Sequence, residues 1–300
     1  MRRIAILLCS VVVTAMACKP EAPPEPPSGV SAPTVVEPAP AAVDDARGGR
    51  IFDKWWVELE REFQPGKMGG PNADGTLDAG TGEPMPNPGH DYRFKNLFGW
   101  DLRGADGVYG PEYQDRPYVA SVNLLTDTRS REELLAWLQA GDDVVPAFGA
   151  VLSHDELYAL VDFIDGVRTG ALPSPAQVFD LSKDAPKNYV LRPGADTTRG
   201  AKLFADSCGC HGGDGTSFAV DPDVSTGAFM RTKGYEAWIK ILNGHPGTPM
   251  HREIEFETAE DGAQQILDII AALCDRAAYP PMPGIEDVPD GDIRCGAYLK

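Results

Sequence analysis

The chain has 300 residues, and its 45 Asp and Glu outnumber 27 Lys and Arg to give a formal net charge of −18. That balance repels phosphate backbones and argues against nucleic acid as a partner. The length allows about two domains, each able to bury its own core, so the chain falls outside the class of small scaffolds stapled by disulfides.

Residues 1–17, MRRIAILLCSVVVTAMA, open with Arg2 and Arg3, continue as an apolar run and end in the small-x-small triplet Ala15-Met16-Ala17. This is the pattern of a secretory signal peptide, and the apolar run is too short for a membrane-spanning helix. Two exits coincide at Cys18: an ordinary signal cut before it, or lipidation of Cys18 at a partial lipobox that lacks the preferred residues at Ala15 and Met16. Residues 18–46 are a Pro/Ala-rich tether with little to bury, which suits a lipid-anchored spacer. The expected location is therefore the periplasm or cell envelope, with a membrane anchor through Cys18. Removal of residues 1–17 takes two positive charges and no negative ones, moving the formal charge from −18 to −20. Basic surfaces on partner proteins are the natural complement to such a chain.

Next comes an internal repeat. Arg47-Gly48-Gly49-Arg50-Ile51-Phe52 has a counterpart in Arg199-Gly200-Ala201-Lys202-Leu203-Phe204. Gly141-Asp142-Asp143-Val144-Val145-Pro146-Ala147 lies in register with Gly244-His245-Pro246-Gly247-Thr248-Pro249-Met250, each after an amphipathic segment carrying Trp137 or Trp238. Leu160-Val161-Asp162-Phe163-Ile164 answers Ile266-Leu267-Asp268-Ile269-Ile270, both with apolar residues at helical spacing. These matches, in one order, predict a mostly α fold of two tandem helical domains, residues 47–170 and 197–275. Residues 171–196 read as a Pro-rich linker and 276–300 as a C-terminal tail. The first domain carries a Gly- and Pro-dense insertion over 64–91, whose Asn72, Asp74 and Asp78 fail as a calcium loop because Leu77 stands where such a loop turns on glycine.

The cysteines that remain after export fall into two groups. Cys274 and Cys295 are expected to form a disulfide in an oxidising compartment, tying the tail to the last long helix. Cys208 and Cys210 lie in Ser207-Cys208-Gly209-Cys210-His211-Gly212-Gly213-Asp214-Gly215, one residue short of the Cys-x-x-Cys-His run of covalent c-type haem attachment. A haem iron that carries electrons needs two strong axial ligands, and His with Met raises its potential. His211 supplies the first, and Met250 in the stiff Pro246-Gly247-Thr248-Pro249 loop is the candidate second. The flanking His245 and His251 are competing ligands that read better as surface histidines. A redox disulfide between Cys208 and Cys210 would leave His211 and Met250 unexplained.

Residues 197–275 resemble the class I cytochrome c family in four features: the Gly200/Phe204 helix, the Cys-x-Cys-His-Gly-x-Asp-Gly run, the Asn243-Gly244-x-Pro-Gly-Thr-Pro-Met250 loop and the apolar last helix. The resemblance implies two tandem cytochrome c-like domains. It also implies one covalent haem c with His211 as proximal ligand, Met250 as distal ligand and Cys210 with Cys208 as thioether donors. Ser207 stands in the first-Cys place, which favours attachment through Cys210 and leaves the bond from Cys208 open. The first domain's counterpart is Phe94-Lys95-Asn96-Leu97-Phe98-Gly99-Trp100-Asp101. There Phe98 replaces the ligand His, Phe94 and Leu97 the thiols, and Ala147 the distal Met, so a haem-less copy is expected. The implied activity is single-electron transfer to redox partner proteins, with no catalytic residues of its own. Two other classes stay open, a haem-less scaffold and a haem subunit of a peroxidase or oxidoreductase complex.

Overall fold

In the computed structural model, residues 45–62, 76–78, 84–86, 93–110, 119–252 and 254–300 are described. The signal segment 1–17, Cys18, the tether up to residue 44, and Asn72 and Asp74 of the insertion lie outside them.

The described residues are mostly helical, as the apolar spacing of the sequence predicts. Seven α-helices follow in order: α1 (Asp45–Glu58), α2 (Phe94–Phe98), α3 (Arg131–Ala140), α4 (His154–Thr169), α5 (Thr197–Ser207), α6 (Thr226–Asn243) and α7 (Ala259–Ala272). Their starts are written locally. Ser130 with Glu133 and Ser153 with Glu156 form reciprocal capping boxes at α3 and α4. Asp196 caps α5 and Thr258 caps α7 through side-chain acceptors. Two antiparallel strand pairs complete the elements, β1 (Thr76–Asp78) with β2 (Pro84–Pro86), and β3 (Phe179–Leu181) with β4 (Tyr189–Leu191). No helix among the described residues is long and apolar enough to cross a membrane.

Two helix pairs carry the packing, α1 on α4 and α5 on α7. The same residue type makes each close approach. A Cβ at Gly48 would overlap the Ala159 carbonyl of α4, and one at Gly200 would overlap the Asp268 carbonyl of α7. Glycine at both places lets helix backbones touch, which a larger residue forbids. The buried apolar side chains join in a single core that runs through both pairs. α1 also packs on α6, so the halves share an interface.

Residues 171–196, expected as a linker, differ from a free spacer. Val178, Phe179, Tyr189 and Leu191 are buried there. The reason lies in α6, which breaks its helical course at Lys233 (φ −134°, ψ 34°). The Tyr189 hydroxyl accepts the neighbouring Gly234 N–H at 3.0 Å, satisfying a donor stranded by the kink. The tail beyond residue 275 likewise wraps the second half. Cys274 and Cys295 are joined as a disulfide with Cα atoms 6.1 Å apart. The fully buried Arg231 pairs with Asp287 at 2.8 Å, and Leu191 N–H donates to the Arg294 carbonyl at 2.8 Å.

Candidate functional site

Helix α5 ends where the motif begins. Cys208 N–H donates to the Phe204 carbonyl at 2.8 Å, and the chain tightens into a 3-10 turn over Gly209–His211 closed by His211 N–H on the Cys208 carbonyl at 2.9 Å. Residues three apart eclipse in such a turn, so Cys208 and His211 share a face while Cys210 projects from another. Cys208 is half-buried and Cys210 exposed, and neither is in a disulfide. Gly212 follows at φ 82° and ψ 161°, a left-handed setting that glycine adopts without strain.

The loop after Gly212 returns to the histidine. Ser217 N–H donates to the His211 carbonyl at 3.1 Å, and Thr226 N–H to the Gly215 carbonyl at 3.0 Å. Thr226, the first residue of α6, thereby places its Oγ1 3.1 Å from His211 Nδ1. Among the described residues Nε2 of His211 has no hydrogen-bond partner, which leaves it as the nitrogen available to a metal. Burial pushes the His211 pKa below the usual histidine value, favouring the neutral imidazole that ligation requires. Phe218 lies over the ring at 4.7 Å between centroids and is itself 46% exposed. Phe204 stands 6.3 Å away on the buried side and packs edge-on against Tyr279. An apolar wall beside an imidazole, with the Cys208 thiol on the same face and Cys210 exposed on another, fits one covalently held haem edge.

Met250 sits at the far end of α6. Gly244 (φ 82°, ψ −174°) ends the helix, and His245 N–H closes the loop on the Met250 carbonyl at 3.0 Å. Thr248 hydroxyl accepts the Met250 N–H at 3.2 Å. Met250 is half-buried, and no hydrogen bond joins it to His211, whose position is set at the opposite end of the helix. Of the flanking histidines, His251 is exposed, while His245 is half-buried with Nδ1 3.2 Å from the Pro246 carbonyl.

Two glycines that end helices in the first half adopt backbone settings close to those of Gly212 and Gly244. α2 ends at Gly99 with φ 73° and ψ 155°, near the Gly212 setting, and α3 ends at Gly141 with φ 69° and ψ −176°, near that of Gly244. Phe94, Leu97 and Phe98 are wholly buried. Phe94 meets Phe148, the residue after Ala147, at 4.1 Å between centroids, and Phe98 meets Trp137 at 5.6 Å. Trp55, Trp56 and Trp100 are also buried. Gly-x-Asp stands in both halves, with its acid in different surroundings. Asp214 is exposed and holds a turn to Thr216, whereas Asp101 is wholly buried and accepts Val108 N–H at 3.1 Å.

Sequence reasoning missed Thr226 and Phe218. A Ser-Thr pair ahead of a helical run marks Ser225 as an N-cap, but nothing local says that the next hydroxyl reaches back to the histidine. No family model, curated protein or solved structure matches the chain.

Proposed function

We propose that the chain is an exported, lipid-anchored electron carrier built from two tandem cytochrome c-like domains joined through residues 171–196, with one haem c in the second. The observation that carries this reading is the His211 site: an imidazole with Nδ1 3.1 Å from Thr226 Oγ1 and Nε2 unpartnered among the described residues, in the same turn as two thiols. His211 and Met250 would hold the iron, with Cys210, and Cys208 beside it, as covalent anchors. When bound, haem c supplies a one-electron centre cycling between ferrous and ferric iron.

This chain's residues do the rest. Thr226 Oγ1, 3.1 Å from His211 Nδ1, would accept from Nδ1–H in the tautomer that leaves the Nε2 lone pair for iron. Phe204 and Phe218 flank the imidazole, and Tyr279 backs Phe204 edge-on. The parallel glycine settings at Gly99 and Gly212 and at Gly141 and Gly244 support a common ancestry of the halves. In the first, the Phe94, Leu97 and Phe98 side chains fill the volume that a cofactor would occupy, which keeps packing dense. That half serves as a docking and spacing module, and the net charge of −18 suits a basic redox partner.

Met250→Ala tests the ligand pair. The protein produced with a haem-attachment system is expected to show a low-spin spectrum, and the variant to keep its haem but lose that low-spin character. An unchanged spectrum in the variant would remove Met250 from the site and favour a haem enzyme or sensor.

A further inference from the structure

The loop that carries Met250 is held by the other half of the molecule. A Cβ at Gly49 on α1 would overlap the Asn243 side chain, so the helix backbone lies directly on the last residue of α6. Arg50 Nη1 donates to the Asn243 carbonyl at 3.0 Å. One turn on, Asp53 is buried between Lys95 of α2 and Lys240 in the last turn of α6, the latter at 3.6 Å. Beyond a break in α1 at Lys54 (φ −160°, ψ 83°), Val57 fills the space in which a side chain at Gly247 would stand, and Gly247 lies in the loop itself at φ 70°. From α6, the buried Trp238 Nε1–H donates to the Trp100 carbonyl at 2.9 Å, fastening the same end of the helix to the first half. Residues 49, 50 and 53 follow helical spacing, so one face of α1 meets the end of α6, and beyond the break at Lys54 Val57 reaches the loop after it.

We propose that the first half is the seat of the Met250 loop, with Arg50 and Val57 as positioning residues that fix residues 243–251 for ligation. A half that lost its own cofactor then retains a function toward the other half's ligand, beyond docking or spacing. The role toward iron rests on Met250 being the distal ligand, whereas the seat itself does not. A loosened methionine bond weakens the ligand that raises the potential, so slack in the seat would lower it.

The test uses the full chain with Arg50→Ala and Val57→Ala, and Leu138→Ala on α3 as a control that creates a cavity in the first half away from α6. In the haem-free chain, amide exchange at His245, Thr248 and Met250 is expected to speed up at least about fivefold over the control in each loop-seat variant, the effect of losing one hydrogen bond or contact. In the haem-loaded chain the same variants are expected to keep covalent haem while the methionine-to-iron charge-transfer band weakens and the potential falls. Exchange no faster than in Leu138→Ala would overturn the seat. A wild-type chain whose mass shows no haem would overturn the ligand reading instead, and the exchange data would still decide the seat.

Discussion

Asp101 and Asp214 each stand two residues after a glycine of similar backbone setting, Gly99 and Gly212, and have opposite electrostatics. Thr216 holds the exposed Asp214 carboxyl below its usual range through side-chain and backbone hydrogen bonds. Burial pushes Asp101 up to about 6, against the pull of Arg103 at 3.7 Å and of the Val108 N–H. A folded-state value above that of the unfolded chain means that the folded form holds the proton more tightly. Stability therefore falls as pH rises from about 4 to about 6, and at neutral pH the ionised form carries the full penalty. Asp101→Asn keeps an acceptor for Val108 and removes the charge. It is predicted to stabilise the protein by about 1–3 kcal/mol at pH 7 and by little at pH 4 in urea unfolding. Equal effects at both values would contradict a buried charge. None of this is legible in the motif, because Gly-x-Asp reads alike in both halves and only the fold buries one of them. Phe94, Leu97 and Phe98 were legible as core residues, since large apolar side chains at helical spacing mark a buried face. Thr226 was not, because its role comes from a loop closure fifteen residues long.

At the scale of elements, the helices were legible and the hairpin was not. The long helices show apolar spacing over several turns and start at Ser, Thr or Asp caps. Strands of three residues are too short to show alternation, and the Pro content of 171–196 reads as a spacer. The hairpin is ordered by what it touches. Tyr189 packs edge-on against Phe179 and Tyr235 and supplies the acceptor for the kinked α6. Burial raises the Tyr189 pKa well above the usual tyrosine value, so the hydroxyl stays neutral across the working range. Tyr189→Phe would leave the Gly234 N–H buried without its acceptor. The expected loss is about 1–3 kcal/mol in thermal unfolding with faster exchange at that amide, and an unchanged midpoint would contradict the kink account.

Across the whole molecule, the mutual packing of the halves was not legible. Arg50 and Asn243 are 193 residues apart, and no periodicity announces such a pair. The Cys274–Cys295 disulfide closes a loop of 21 residues around a tail already held by Arg231 and Asp287. Replacing both cysteines by serine is predicted to cost about 3 kcal/mol, most of it through a freer unfolded chain. Chemical unfolding with and without reductant checks this, and identical midpoints would contradict it. The central claim is a single covalent haem in the second half. Its most direct test is the intact mass of the purified protein, produced with a haem-attachment system, together with the pyridine haemochrome spectrum. The account predicts a mass raised by one haem, with a haemochrome that counts the thioethers made by Cys210 and Cys208. A chain of unmodified mass with no Soret absorbance would contradict it.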